Sequence, residues 1–354
     1  MAVLRILLVS TPIGTLGSGL GGGVEITVLN IAAALSQYGH DVTILAGEGS
    51  VAAGHRLLTA TGISPPNAQH LPRDAPIVMP VDGLLANFFD VAQRCQGDYD
   101  VILNLAYDWL PFYLTPFFRT PLLHVVGMGS LGDAVDLALR RVVTEYPGRV
   151  AVHTHAQAAT FSFGKELVVI SNGLDLSRYR FNPQPDPALG WVARISREKG
   201  LEDAAAAAAE VGLALRVWGV VEDAPYWAEV QRKFPGDTID FKGFLPTDQL
   251  QAELGRVQAL LVTPKWVEAF GNVVAESLAV GVPVIAYRRG GPAEIVRDAS
   301  TGFLVEADSI SGLVQAIRRL PEIDRSECRA QAEAEFSLPA LGKRLLGWVT
   351  PQLR

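Results

Sequence analysis

The sequence predicts an α/β protein of two doubly wound, Rossmann-like domains facing each other across a cleft. Three observations carry that prediction. Short apolar runs alternate with helix-spaced segments along both halves, the pattern of parallel sheets covered by helices. The alternation breaks over residues 171–190, at Asn172-Gly173 and at Pro183, Pro185 and Pro187. The chain has 354 residues, 49% of them hydrophobic, enough for two ordinary cores.

Residues 4–9 form an apolar run, interrupted by Arg5 alone, as in a strand covered on both faces. A glycine-rich loop over 11–23 leads to a helix over 24–37, where Val24, Val28, Ile31 and Leu35 share a face and Gly39 ends it. A second strand covers 41–46. Helices are expected over 84–95 and 133–143, and strands over 101–105, 122–126, 150–152 and 167–170. This gives a first domain over 1–172 and a linker over 173–190. The second series opens with a strand near 189–193 and a helix over 204–209. Strands over 213–218, 238–241 and 259–263 then alternate with helices over 226–234 and 247–254. A helix ending at Gly281 and a strand over 284–287 lead into a helical tail from 310. The second domain is 191–335, and 336–354 is expected to brace the first.

The formal charge of −7 and the lack of a Lys/Arg block exclude a nucleic-acid binder and a polybasic membrane anchor. No apolar run approaches the ~20 residues of a membrane span. Leu84, Leu85, Phe88 and Phe89 fit a core helix face better than a membrane contact. Cys95 and Cys328 stand apart from any metal-type spacing, which points to a reduced, cytoplasmic protein. The oligomeric state stays open.

The chemistry centres on residues 265–283. Glu268 follows the strand over 259–263, after Pro264, and Glu276 lies eight positions on. Gly271-Asn272 opens the helix, whose first N–H groups suit a phosphate. Gly271 allows close approach to the backbone. Glu276 lies one turn in, on the face of Asn272, and a carboxylate there accepts from both hydroxyls of a ribose.

The stretch Glu268-Ala-Phe-Gly-Asn-Val-Val-Ala-Glu276 resembles the E-x7-E signature of the retaining family-4 glycosyltransferases, which have the two-domain glycosyltransferase B fold. The run from Gly190 through Arg194 to Lys199-Gly200 is similar to a second family pattern, as are 241–244, 291–296 and 301–305. The resemblance implies that Glu268 contacts the donor sugar and Glu276 the ribose. It implies that the backbone of Phe270, Gly271, Asn272 and Val273 holds sugar and diphosphate, with Arg194 and Lys199 as the cationic clamp. In the first domain it aligns Gly21-Gly22-Gly23-Val24-Glu25 with a glycine loop, so that Gly22 and Gly23 approach the diphosphate. His124, read at a strand's carboxyl end facing the cleft, resembles the family's histidine near the reacting carbon. Tyr107, Asp108 and Trp109 fall in an acceptor loop, with Asp108 orienting a hydroxyl and Trp109 stacking on a ring. Asn104 stands where the family often has a histidine.

The expected activity is a metal-independent, retaining hexosyl transfer from UDP-glucose to a small-molecule acceptor, with no cofactor. Residues 11–25 resemble the opening of the UDP-glucose:tetrahydrobiopterin glucosyltransferases, which makes a reduced pterin the expected acceptor. A sugar or lipid acceptor and a nucleotide-sugar epimerase are the alternatives. An NAD enzyme is a third, because Gly17-Ser-Gly19-Leu-Gly-Gly22 and Glu48 match the dinucleotide fingerprint, although several residues separate Ser10 from Gly17. Asp98-Tyr-Asp100 has the D-x-D form of metal-dependent transferases but precedes a strand, and His153-Thr-His155 lacks a third ligand.

Overall fold

A computed structural model describes residues 2–18, 22–66 and 68–353. The chain divides into two units, residues 1–173 with 338–354, and residues 174–337.

Among the described residues the first unit holds seven strands: β1 (Arg5–Val9), β2 (Asp41–Gly47), β3 (Arg56–Ala60), β4 (Val101–Asn104), β5 (Leu122–Val126), β6 (Val150–Val152) and β7 (Val168–Val169). Its helices are α1 (Gly22–Gln37), α2 (Leu84–Cys95), α3 (Trp109–Leu114), α4 (Asp133–Glu145) and α5 (His155–Ala158). The sheet runs β3-β2-β1-β4-β5-β6-β7, and every pairing in it is parallel. The order reverses between β1 and β4, where loops at the carboxyl ends diverge and a ligand site can form. Ile6, Leu7, Leu8 and Val9 are wholly buried, which is why β1 reads as an apolar run after its exposed Arg5. The edge strand β3 is only partly covered, and its mixed residues give no apolar run to read.

The second unit holds β8 (Ala188–Val192), β9 (Ala214–Trp218), β10 (Ile239–Gly243), β11 (Leu260–Val262), β12 (Val284–Tyr287) and β13 (Gly302–Val305). Its helices are α6 (Leu201–Val211), α7 (Ala224–Lys233), α8 (Thr247–Leu254), α9 (Asn272–Ala279), α10 (Pro292–Ile295), α11 (Ile310–Arg318) and α12 (Arg325–Glu335). The parallel order is β10-β9-β8-β11-β12-β13, reversing between β8 and β11. The loops after those two strands carry Arg194, Lys199 and Glu268.

The expected linker over 173–190 is corrected. From Leu174 the chain packs into the second unit, whose core takes Leu174 and Tyr179. Arg178 pairs with Asp248 at 2.7 Å, Asp186 pairs with Arg216 at 2.9 Å, and β8 has begun by Ala188. The prolines withhold ladder donors there but leave the side chains free to pack. At the other end, α13 (Leu338–Val349) lies in the first unit, burying Leu341 and Leu345. Arg344 donates to the carbonyls of Ile170 (2.7 Å) and Asn172 (2.8 Å), and the Trp348 indole donates to that of Gly148 (2.7 Å). Among the described residues no helix is long and apolar enough to cross a membrane.

Candidate functional site

In the second unit, two loops at the β8/β11 reversal are joined along their backbones. The Lys265 N–H donates to the Glu198 carbonyl (2.8 Å), and Thr263 Oγ1 donates to that of Gly200 (2.8 Å). This junction brings Lys199 Nζ to 2.5 Å from Glu268 Oε2. The Trp266 indole N–H donates to the same oxygen (3.1 Å), and its ring faces the Lys199 ammonium at 4.8 Å. A cation, a carboxylate and an aromatic face therefore form one cluster, each fixing the others.

The loop bearing Glu268 is anchored from behind. Lys265 pairs with the buried Asp203 and with Asp308 (3.0 Å), and the Tyr287 hydroxyl donates to Asp203 (2.6 Å). Arg289 holds Asp308 (2.7 Å) and the Pro264 carbonyl (2.7 Å). Arg194 reaches Glu222 and, at 3.3 Å, Glu198, with a third of its side chain exposed. It is thus held by carboxylates in the position where the resemblance expects an anion.

Gly271 precedes the first residue of α9, and no acidic side chain lies in that helix's first turn. The partial positive charge of the helix end is therefore not offset from within the helix. The Gly291 N–H donates to the Glu268 carbonyl (2.7 Å), tying the α10 loop to this site. Phe270 is buried edge-on to Phe336 and Val273 packs on the core, so both can serve a ligand through their backbone. Glu276 is 7% exposed and accepts from Gln251 Nε2 at 3.2 Å. Burial pushes its carboxyl up to about 7, against the Gln251 hydrogen bond and the Arg178 charge.

In the first unit, Gly22 and Gly23 open α1, beyond the carboxyl end of β1. Glu25 occupies that first turn and accepts from Ser18 (3.3 Å). Gly19 and Gly21 lie outside the described residues.

The expectation for His124 is corrected. It sits in the middle of β5, not at its end, and is wholly buried. Asn104 Nδ2 donates to its Nδ1 (3.1 Å), and its Nε2 meets Thr115 Oγ1 (2.9 Å), whose hydroxyl donates to the Pro111 carbonyl. Burial lowers its pKa to about 3, so it is a neutral core residue. Since the unfolded imidazole protonates near 6.5, stability is lost as the pH falls below that value. By pH ~5 this amounts to about 2 kcal/mol, and His124→Gln should remove that part of the pH dependence. Urea midpoints at both ends of the range check it. His153 and His40, also lowered by burial, contribute equally to both proteins.

The acceptor loop is corrected in part. The Asp108 carboxylate caps α3, accepting from the Leu110 N–H (3.1 Å), and the Tyr107 hydroxyl accepts from that of Leu131 (3.1 Å). Asp108 thus shapes its own loop, and Tyr107 ties that loop to the one before α4. Trp109 stacks on Tyr113 (4.5 Å between centroids) beside a groove of about 480 Å³ that runs along α4 to Glu145. Asp100 pairs with Arg5 (2.9 Å) at the amino end of the sheet, and His153 Nδ1 meets the Ser171 carbonyl (3.0 Å). Among the described residues no group of three or more His, Cys, Asp or Glu side chains could hold a metal.

Trp266, Glu222, Glu198 and Gln251 were not singled out by the sequence. Trp266 stands inside the motif itself, whereas Glu222 joins Arg194 only because β8 and β9 pair in parallel.

Comparison with known proteins adds to this geometry. Residues 21–178 match the family described as Glycosyltransferase Family 4, and residues 178–335 match Glycosyl transferases group 1. Each half of the chain is thus similar to a glycosyltransferase-family domain. The chain is similar to a 2-deoxystreptamine glucosyltransferase of Streptomyces kanamyceticus, 30% identical over 40% of this chain and 38% of that one. It is similar to a glycogen synthase of Mycobacterium tuberculosis, 33% identical over 60% of this chain and 58% of that one. It therefore spans between a third and three-fifths of the length of these relatives. The solved structure of Anabaena Alr3699/HepE in complex with UDP-glucose matches with a TM-score of 0.73 at 19% identity, over 98% of this chain and all of that one. That likeness, with the two parallel sheets, shows the two-domain glycosyltransferase B fold.

Proposed function

We propose that the chain is a retaining glycosyltransferase that needs no metal and moves a hexose, glucose from UDP-glucose, to a small-molecule acceptor. The observation that carries this is the Lys199–Glu268–Trp266 cluster beside the amino end of α9. Lys199, Arg194 and the α9 amides bind the diphosphate, Glu268 grips the sugar hydroxyls and Glu276 the ribose. As the C1–O bond breaks, charge grows on the diphosphate, and fixed cations lower the barrier to that step. The acceptor oxygen attacks on the same face and passes its proton to the leaving diphosphate.

We infer tetrahydrobiopterin as the acceptor from the likeness of residues 11–25 to glucosyltransferases acting on that pterin. The polar groups of Tyr107 and Asp108 add nothing to that choice, since each already holds a backbone N–H, of Leu131 and Leu110 respectively. The unpaired thiols of Cys95 and Cys328 suit a cytoplasmic enzyme.

A thermal-shift panel of UDP, GDP, ADP and NAD tests the donor. UDP is expected to stabilise the protein most, and stabilisation by NAD alone would sink the reading. Turnover of UDP-glucose with reduced pterin, simple sugars and diacylglycerol tests the acceptor. Product from another class but not the pterin would remove that acceptor and leave the transfer reaction standing.

A further inference from the structure

Glu276 is held by a partner that neither the motif nor the family match singles out. Gln251 lies on the buried face of α8 and is 2% exposed. Its amide Nε2 reaches Glu276 Oε2 at 3.2 Å, while its Oε1 is buried with no hydrogen-bond partner among the described residues. An orphaned buried amide oxygen is costly, so the orientation that aims the N–H₂ group at Glu276 is favoured by what it gives that carboxylate. A buried carboxylate needs such donors to stay charged.

The other charged and titratable groups around Glu276 are few. Arg178, in the turn before the β8 strand, attracts it but is already bound to Asp248 of α8. The Tyr179 hydroxyl lies near it, and that residue is buried. From α12, Arg329 is spent on the carbonyls of Tyr179 (2.8 Å) and Ala279 (2.6 Å). Gln251 is thus the direct hydrogen-bond donor to Glu276 found among the described side chains.

We propose that Gln251 is a positioning residue that keeps Glu276 ionised and aimed at the ribose hydroxyls, making donor affinity depend on the charge of Glu276. The proposal rests on the donor role of Glu276 given above. A protonated Glu276 offers a ribose one fewer strong acceptor, so UDP binds more weakly as the pH falls through the Glu276 midpoint.

The test follows Glu276 itself, by its carboxyl carbon shift in the unliganded protein, alongside UDP affinity over the same pH range. In Gln251→Met the midpoint should move up by about one unit, the size of one charge-assisted hydrogen bond. UDP affinity at pH ~7 should then fall about fivefold, with little change at pH ~9. Gln251→Glu, which sets a second carboxylate beside the first, should raise the midpoint further and covers the case in which the Met variant does not fold. A midpoint unmoved in a folded variant overturns the inference, whether or not a nucleotide binds. UDP affinity that ignores a midpoint which has moved overturns the ribose role of Glu276 and leaves the Gln251 contact standing.

Discussion

Lys199→Met is expected to lower turnover of UDP-glucose by about 10- to 100-fold while leaving the second unit folded. Methionine keeps most of the lysine stem but removes the charge that faces the Trp266 ring. The ammonium contacts Glu268 at 2.5 Å, in the loop that leads into the amino end of α9, where a diphosphate would develop charge. Losing one charge-assisted contact there removes roughly 1.5–3 kcal/mol from the transition state. The effect on stability is smaller, because the two side chains keep 15% and 21% exposure and Trp266 still donates to Glu268. Steady-state kinetics alongside thermal melting separate the two effects. Turnover unchanged in a folded Lys199→Met protein would reduce Lys199 to a structural partner of Glu268. Combining it with Glu268→Gln measures their coupling, which should be large because both act on one donor.

The same cluster shows what could be read from the residues alone. The helix over 84–95 and the strand over 284–287 coincide with α2 and β12, because their apolar period is uninterrupted. Glu268, Gly271 and Glu276 were legible because strand, loop and helix follow one another locally. That Glu268 meets Lys199, 69 positions away, was not, since only the β8/β11 pairing brings the two loops together. His124 is misread when the strand expected over 122–126 is ended at His124 itself. β5 runs on through Val125 and Val126, which turns the imidazole inward against Asn104 and Thr115. Asp108 carried a signal that was passed over, for an Asp just before a helix is a common N-cap.

The junction between the two loops makes the largest stability prediction. Gly200 has φ +65°, and a Cβ there would lie 2.1 Å from the Thr263 carbonyl oxygen, a backbone atom that cannot step aside alone. Thr263 is itself fixed, donating to the Gly200 carbonyl at 2.8 Å and accepting from the Trp191 indole at 3.3 Å. Gly200→Ala therefore combines a left-handed backbone with a steric clash, about 3 kcal/mol or more in total. For a unit of this size that is a fall in melting temperature of about 6–12 °C. Gly212 supplies the control within the same helix. It has φ +69° but nothing within 4 Å of its Cβ position, so Gly212→Ala carries the backbone cost alone, about 1 kcal/mol. If both substitutions lowered the melting temperature equally, the close approach at Thr263 would not be rigid. If only Gly200→Ala also weakened UDP binding, the stiffness of this junction would be what keeps Lys199 and Glu268 in register for the donor.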